Sequence, residues 1–194
     1  WEEWLDYCES INHSLYGWYV WDQGEGYPGD YHGRLARSFE FVFHFSKSHT
    51  QANKWIPTLY TSEDAIRERS HHRNNPRTGS RQKDGSIAKF SADKVGQAFK
   101  IPDSVIRINR EKARGLHTEL HPATFPPEFV EFALNTWSND NDNVYEPFSG
   151  SGTTLIACER LSRKCRAVEI SPAYVAVAIQ RWVDMTGGEP ELIQ

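Results

Sequence analysis

The sequence predicts an α/β fold, and three observations carry that reading. The last fifty residues alternate strand, helix, strand, helix, the signature of a layered α/β architecture with some parallel pairing. A small-residue turn, Ser149 to Gly152, joins the first of those strands to its helix. Upstream, Phe39, Phe41, Phe43 and Phe45 alternate with Glu40, Val42 and His44, a period of two that only a strand supports.

The elements follow in order. Trp1, Trp4, Leu5, Cys8 and Ile11 recur at helical spacing, with Glu2, Glu3, Asp6 and Glu9 opposite, so the chain opens in an amphipathic helix. Leu15 to Trp21 reads as a strand, and Gly24, Gly26, Pro28 and Gly29 mark a loop before the Phe-rich strand. Ile101 to Ile108 is a further β-branched strand candidate, entered through Pro102. Pro126 and Pro127 open a helix whose Phe129, Phe132, Ala133 and Trp137 share one face. After the polar Asn139 to Asn143 turn comes a short strand through Val144, then the Gly-rich turn and a helix from Thr153. Cys165 to Ile170 is the second strand. Ser171 and Pro172 then supply an N-cap and first-turn proline for a helix expected to bury Val175, Ala178, Ile179 and Trp182.

Composition narrows the class. The 194 residues include ten Phe, eight Tyr and seven Trp, ample for a packed core, which excludes a disordered chain. The longest apolar run, Ala173 to Ile179, is too short to span a membrane. Cys8, Cys158 and Cys165 are odd in number and lack Cys-x-x-Cys spacing, so neither a disulfide framework nor a zinc site is expected, and no metal. A reducing, cytoplasmic setting is the default expectation. With no initiator Met and no signal-like segment ahead of Trp1, the chain is expected to be part of a longer polypeptide.

The net charge of −4 conceals an asymmetry. Between Glu63 and Gly115 thirteen Lys/Arg face seven Asp/Glu, a local +6, which leaves −10 for the remainder. Such a segment suits phosphate contacts, because each one releases counterions. A solvated loop is the competing reading. Within it, 70–86 is almost free of apolar residues and rich in turn formers, as a mobile loop would be.

The Gly-rich turn is the most informative stretch. Its glycines let backbone approach a ligand closely, and the helix amino end would offer N–H donors to a negative group. A phosphate-cradling loop needs Lys before Thr153, where Gly152 stands. The dinucleotide fingerprint needs a third glycine, where Leu155 stands. There remain a plain turn and a nucleoside-containing ligand without a pyrophosphate. Glu169, nineteen residues beyond Gly150, is spaced to accept hydrogen bonds from ribose hydroxyls; taken alone it would be a surface carboxylate.

Glu146-Pro-Phe-Ser-Gly-Ser-Gly-Thr-Thr154, followed by Glu169-Ile-Ser-Pro172 and Gln180-Arg-Trp-Val-Asp-Met-Thr-Gly187, resembles the S-adenosylmethionine half of the DNA amino-methyltransferases, which modify adenine at N6 or cytosine at N4. His121-Pro-Ala-Thr-Phe-Pro-Pro-Glu-Phe129 is similar to the His-Pro motif that precedes the Gly-rich motif in that family. This motif order is that of the permuted β class, in which the catalytic half precedes the cofactor half. The resemblance is strong over 121–187 and weaker over 1–47, where Tyr19-Val-Trp-Asp-Gln23 and Ser38-Phe-Glu-Phe-Val-Phe43 look like strands that follow the catalytic motif.

What the resemblance implies is specific. The fold would be a Rossmann-like S-adenosylmethionine-dependent methyltransferase fold, a mixed, mostly parallel sheet flanked by helices, with an inserted basic target-recognition region. Residues 1–50 would be the post-catalytic part of the core, 51–115 the target-recognition region and 116–194 the cofactor-binding part. Glu146, Phe148, Ser149, Gly150, Gly152 and Thr153 would surround the methionine and sulfonium portion of S-adenosylmethionine. Glu169 would hold its ribose, and His121, Ala123, Thr124 and Phe125 would close the site. Arg67, Arg69, Arg73, Arg77, Arg81 and Lys83 would contact double-stranded DNA, mainly at phosphates. Family members often pair as dimers.

The family's catalytic motif, Asp/Ser/Asn-Pro-Pro-aromatic, is not in this chain, whose single Pro-Pro pair belongs to the His-Pro motif. In the family that motif accepts the hydrogens of an exocyclic amine and stacks on a flipped base, so that the lone pair can meet the sulfonium methyl. The expectation is therefore a site-specific DNA methyltransferase cut just downstream of its catalytic motif, leaning towards adenine-N6 over cytosine-N4. Two alternatives stand beside it: a non-catalytic cofactor- or DNA-binding partner, and a methyltransferase of RNA or a small molecule.

Overall fold

A computed structural model of the chain describes residues 1–26, 29, 32–48, 51–58, 80–81, 86–88, 98–109 and 125–193. It divides into two compact units, 1–53 with 103–194, and 54–102.

The larger unit opens with α1 (Glu2–Ser10), β1 (Ser14–Asp22) and β2 (Phe39–Ser46). β1 pairs antiparallel with β2, Trp18 opposite Phe43 and Trp21 opposite Glu40, with a register shift between Leu15 and Gly17. On its other edge β1 pairs in parallel with the short β7 (Val105–Arg107). β7 is shorter than the Ile101 to Ile108 run predicts. Pro102 has no N–H for a ladder, and regular pairing begins only at Val105.

α2 (Pro127–Trp137) covers one face of this sheet. Phe129 stacks on Trp21 at 4.4 Å between ring centroids, and Trp137 on Tyr19 at 5.4 Å. Trp21, 4% exposed, also donates its indole N–H to the Ile108 carbonyl at 2.8 Å. On the other side of α2, Val130 and Leu134 pack on the second half of the unit, so the helix is buried on two faces where the sequence suggests one. The side chain of Asn53 ties the helix end, donating to the carbonyls of Asn135 and Ser138.

The opposite face of the sheet carries the Phe side chains of β2. Trp1 and Trp4 of α1 reach only its far end, against Phe43 and Phe45. Phe39, Phe41 and Trp18 stay 41%, 52% and 59% exposed. α1 likewise buries Cys8 but leaves Trp1, Trp4 and Ile11 exposed, a thinner buried stripe than its periodicity predicts.

The carboxyl-terminal part contains β8 (Asn143–Glu146), α3 (Thr153–Arg160), β9 (Lys164–Ala167) and α4 (Pro172–Thr186). β8 and β9 run parallel, Val144 opposite Cys165, and α3 crosses between them as a short βαβ connection. The core is Leu134, Ala157 and Cys158, flanked by Val130, Val144, Leu161 and Cys165. A hydrogen bond between the Cys158 and Cys165 thiols, with burial, pushes Cys158 up; the same bond holds Cys165 down. α4 buries Ala178 alone, leaving Val175 and Ile179 exposed, because its close neighbour is a backbone turn rather than a broad apolar layer.

In the smaller unit β3 (Ile56–Pro57) pairs antiparallel with β6 (Phe99–Lys100), and β4 (Ser80–Arg81) with β5 (Ile87–Ala88). Among the described residues no helix is long and apolar enough to cross a membrane, and no cluster of His, Cys, Asp or Glu could hold a metal ion.

Candidate functional site: the Gly-rich turn

The turn lies at the carboxyl ends of the parallel pair β8–β9, where open α/β sheets bind ligands. Its shape follows from two glycines in the left-handed region, Gly150 at φ 52° and Gly152 at φ 83°. Gly152 is also pressed against α4. A Cβ there would stand 2.6 Å from the Cβ of Ala178 and 3.1 Å from its Cα, so only glycine lets the helix approach this closely.

Two carboxylates hold the turn from the strand ends. Glu146, the last residue of β8, accepts the Phe148 N–H at 2.9 Å on one oxygen and the Thr154 hydroxyl at 3.0 Å on the other. Glu169, just past β9, accepts the Gly150 N–H and the Ser171 N–H, each at 2.8 Å. Glu169 thus clasps the turn to the first turn of α4. Backbone pairs complete the frame: Ser149 donates to the Val168 carbonyl at 3.0 Å, and Gly152 to the Ser149 carbonyl at 2.9 Å.

This arrangement narrows one expectation. The N–H groups of Phe148, Ser149, Gly150 and Gly152 are consumed internally, so the turn does not present them to an anion. The half-buried carboxylates instead give the site a negative character. Glu146 has about four lone-pair positions and spends two on the bonds above, which leaves capacity for hydroxyl or ammonium donors from a ligand. Around them, Ser151 and Thr153 are buried, whereas Phe148 and Ile170 are 87% and 96% exposed.

The structure brings Glu146, Phe148, Ser149, Gly150, Gly152, Thr153 and Glu169 together around this one turn. Phe125 lies in the aromatic cluster with Trp21 and Phe129, at 5.9 and 5.5 Å. His121, Ala123 and Thr124 lie outside the described residues, as do Arg67, Arg69, Arg73, Arg77 and Lys83; Arg81 falls in β4.

Two features escaped the sequence reading. Ile170 presents a bare apolar side chain beside Glu169, and its signal was an Ile placed directly before the Ser-Pro helix start. Arg181 donates from one guanidinium nitrogen to the Ser151 carbonyl at 2.6 Å and to its hydroxyl at 3.2 Å. Its signal was a cation three residues after Ala178, on the packing face of an otherwise apolar helix stripe.

A family model described as DNA methylase, covering the N6 and N4 enzymes, matches residues 3–180. Among curated relatives, the type II methyltransferase M.XycI of Xanthomonas campestris pv. cyanopsidis is 29% identical over 170 residues, 85% of this chain and 45% of that protein. The type II methyltransferase M.PvuII of Proteus hauseri is 32% identical over 111 residues, 53% of this chain and 32% of that protein. The chain spans about half the length of the first curated relatives it matches. Two solved structures share the fold, each at 20% identity. The PvuII DNA methyltransferase (cytosine-N4-specific) has a TM-score of 0.61, covering 95% of this chain and 57% of its own. An M1.HpyAVI complex with SAM has a TM-score of 0.56, covering 93% and 68%.

Proposed function

The chain belongs to the N6/N4 DNA methylase family, and from that premise we propose that it forms the cofactor-binding part of a site-specific DNA amino-methyltransferase that uses S-adenosylmethionine. The observation that carries the proposal is the clasp of two carboxylates on a glycine turn in which the Phe148, Ser149, Gly150 and Gly152 amides are already spent. A nucleotide phosphate would meet two carboxylates there. S-adenosylmethionine brings complementary groups: a ribose diol to the Glu169 carboxylate, and an ammonium and sulfonium to the Glu146 side. Ile170, exposed next to Glu169, supplies an apolar platform for the adenine ring. When bound, the cofactor supplies an electrophilic methyl group. The protein's own residues orient it: Gly150 and Gly152 let backbone approach, and Phe148 shields it from water.

The basic residues between 51 and 115 are assigned to target recognition, with Arg67, Arg69, Arg73, Arg77, Arg81 and Lys83 on DNA phosphates. His121, Ala123, Thr124 and Phe125 close the cofactor site in this reading. Adenine-N6 is preferred over cytosine-N4 on the wording of the carboxyl-terminal motifs, although two curated and solved likenesses carry the PvuII name, one of them titled cytosine-N4-specific.

Two measurements on the full-length protein test this. Tritiated methyl transfer should appear on duplex DNA and be absent on RNA, and transfer to RNA alone would replace the assignment. Neutralising Arg73, Arg77 and Arg81 together should weaken DNA binding and lower the slope of log affinity against log salt by about 3. An unchanged slope removes these residues from the interface.

A further inference from the structure

We infer that Arg181 is a positioning residue for the cofactor site, holding the Gly-rich turn from behind in the shape that Glu146 and Glu169 hold from the front. The inference rests on the cofactor reading above and extends it to a helix otherwise occupied with packing.

The geometry is specific. One guanidinium nitrogen bonds both polar atoms of Ser151, its carbonyl at 2.6 Å and its hydroxyl at 3.2 Å, across thirty residues of sequence. Ser151 is 5% exposed, so its carbonyl is turned away from water and needs a donor. One helical turn before Arg181, Ala178 meets Gly152 at a distance that admits no Cβ. The small-to-small contact fixes how near α4 comes, and the guanidinium then fixes the orientation of the Ser151–Gly152 peptide. That peptide sits between Gly150, which Glu169 holds, and Thr154, which holds Glu146. A rotation there would move both carboxylates away from a ligand.

Arg suits this role better than Lys. The nitrogen that bonds both Ser151 oxygens is held in a rigid planar guanidinium whose N–H directions are fixed, whereas a Lys ammonium reaches them as a single rotating point. The side chain belongs to the Gln180 to Gly187 stretch, whose resemblance to the family had no physical account in the sequence.

The test compares the wild-type chain with Arg181→Met and Arg181→Lys by three readouts: S-adenosylmethionine affinity by calorimetry, hydrogen exchange at the Gly152 amide, and the unfolding midpoint. The inference predicts that Arg181→Met weakens cofactor binding roughly 10- to 100-fold, as expected for loss of a charged hydrogen bond to a buried carbonyl. Gly152 exchange should accelerate under conditions where the variant remains folded, and Arg181→Lys should fall between the two. Wild-type affinity and exchange in Arg181→Met would overturn it. So would a Lys variant as weak as the Met variant with affinity falling only in proportion to the unfolded fraction, since that marks general packing. If the wild-type chain binds no S-adenosylmethionine, the cofactor reading fails, and the exchange data alone decide whether Arg181 clamps the turn.

Discussion

The Gly-rich turn and the aromatic sheet of β1 and β2 are built on opposite principles. The turn is polar, and some of its bonds close over a few residues, Glu146 to Phe148, Glu169 to Ser171 and Glu146 to Thr154, while Glu169 to Gly150 and Arg181 to Ser151 tie it across nineteen and thirty. The sheet is apolar, and its shape depends on a remote helix, α2, whose Phe129 and Trp137 cover Trp21 and Tyr19 from more than a hundred residues further on. Directional hydrogen bonding makes the turn's geometry a property of the carboxyl-terminal strands and helices that surround it. Remote packing makes the sheet's inner and outer faces a property of the whole unit.

The sheet should therefore show the largest losses of stability. Trp21→Ala removes a buried indole, its stacking on Phe129 and its bond to the Ile108 carbonyl, and is expected to cost about 3–5 kcal/mol in urea unfolding. A loss below about 1 kcal/mol would mean that α2 does not hold this face.

Next comes the turn's own weak point. Gly152→Ala forces a Cβ into the left-handed region and against Ala178, at roughly 2–4 kcal/mol. It should also weaken S-adenosylmethionine binding, whereas Trp21→Ala, which reaches the cofactor site only through Phe125, should weaken the affinity of the folded fraction less. Equal effects of the two substitutions on cofactor affinity would dissolve the contrast between the regions.

A smaller effect separates the faces by pH. Burial pushes the imidazole of His44 below its ordinary value, beside the Tyr19 hydroxyl at 3.2 Å and the ring of Trp137. The unfolded chain then binds the proton more readily. His44's contribution is fully present above about pH 6.5 and is lost as pH falls towards its folded value. His44→Gln should flatten the decline in unfolding midpoint between about pH 7 and 5; a decline of unchanged slope would assign it to other groups.

The smallest effect belongs to the outer face. Phe41→Ser should change stability by no more than about 0.5 kcal/mol, because half of that ring is already in water. It should also reduce the binding of a hydrophobic dye. A large destabilisation would mean that the exposed Phe row is covered in solution.

The same contrast explains what was legible in the sequence. Alternation over Phe39 to Phe45 announced a strand but not which face turns inward. Aromatic side chains on α2 selected the face of Glu40, Val42 and His44. In α4, apolar spacing suggested four buried residues, but a backbone turn is a narrow partner and buries only Ala178. Around the turn, Glu146, Gly150, Gly152 and Glu169 could be named in advance, the glycines from the small-residue turn, Glu169 from its spacing and Glu146 from the family resemblance. Their use of the turn's own amides could not be read, because it depends on side-chain rotamers, and Arg181 was hidden inside a packing stripe.

Calorimetric titration of S-adenosylmethionine into the chain, beside ATP and with Glu169→Gln as the control, is the most direct test of the claim that the carboxylate-clasped turn is a cofactor site. The account predicts one-to-one binding of S-adenosylmethionine, weaker by about 10-fold or more in Glu169→Gln, and no heat with ATP. Tight ATP binding, or S-adenosylmethionine binding that ignores Glu169, would contradict it.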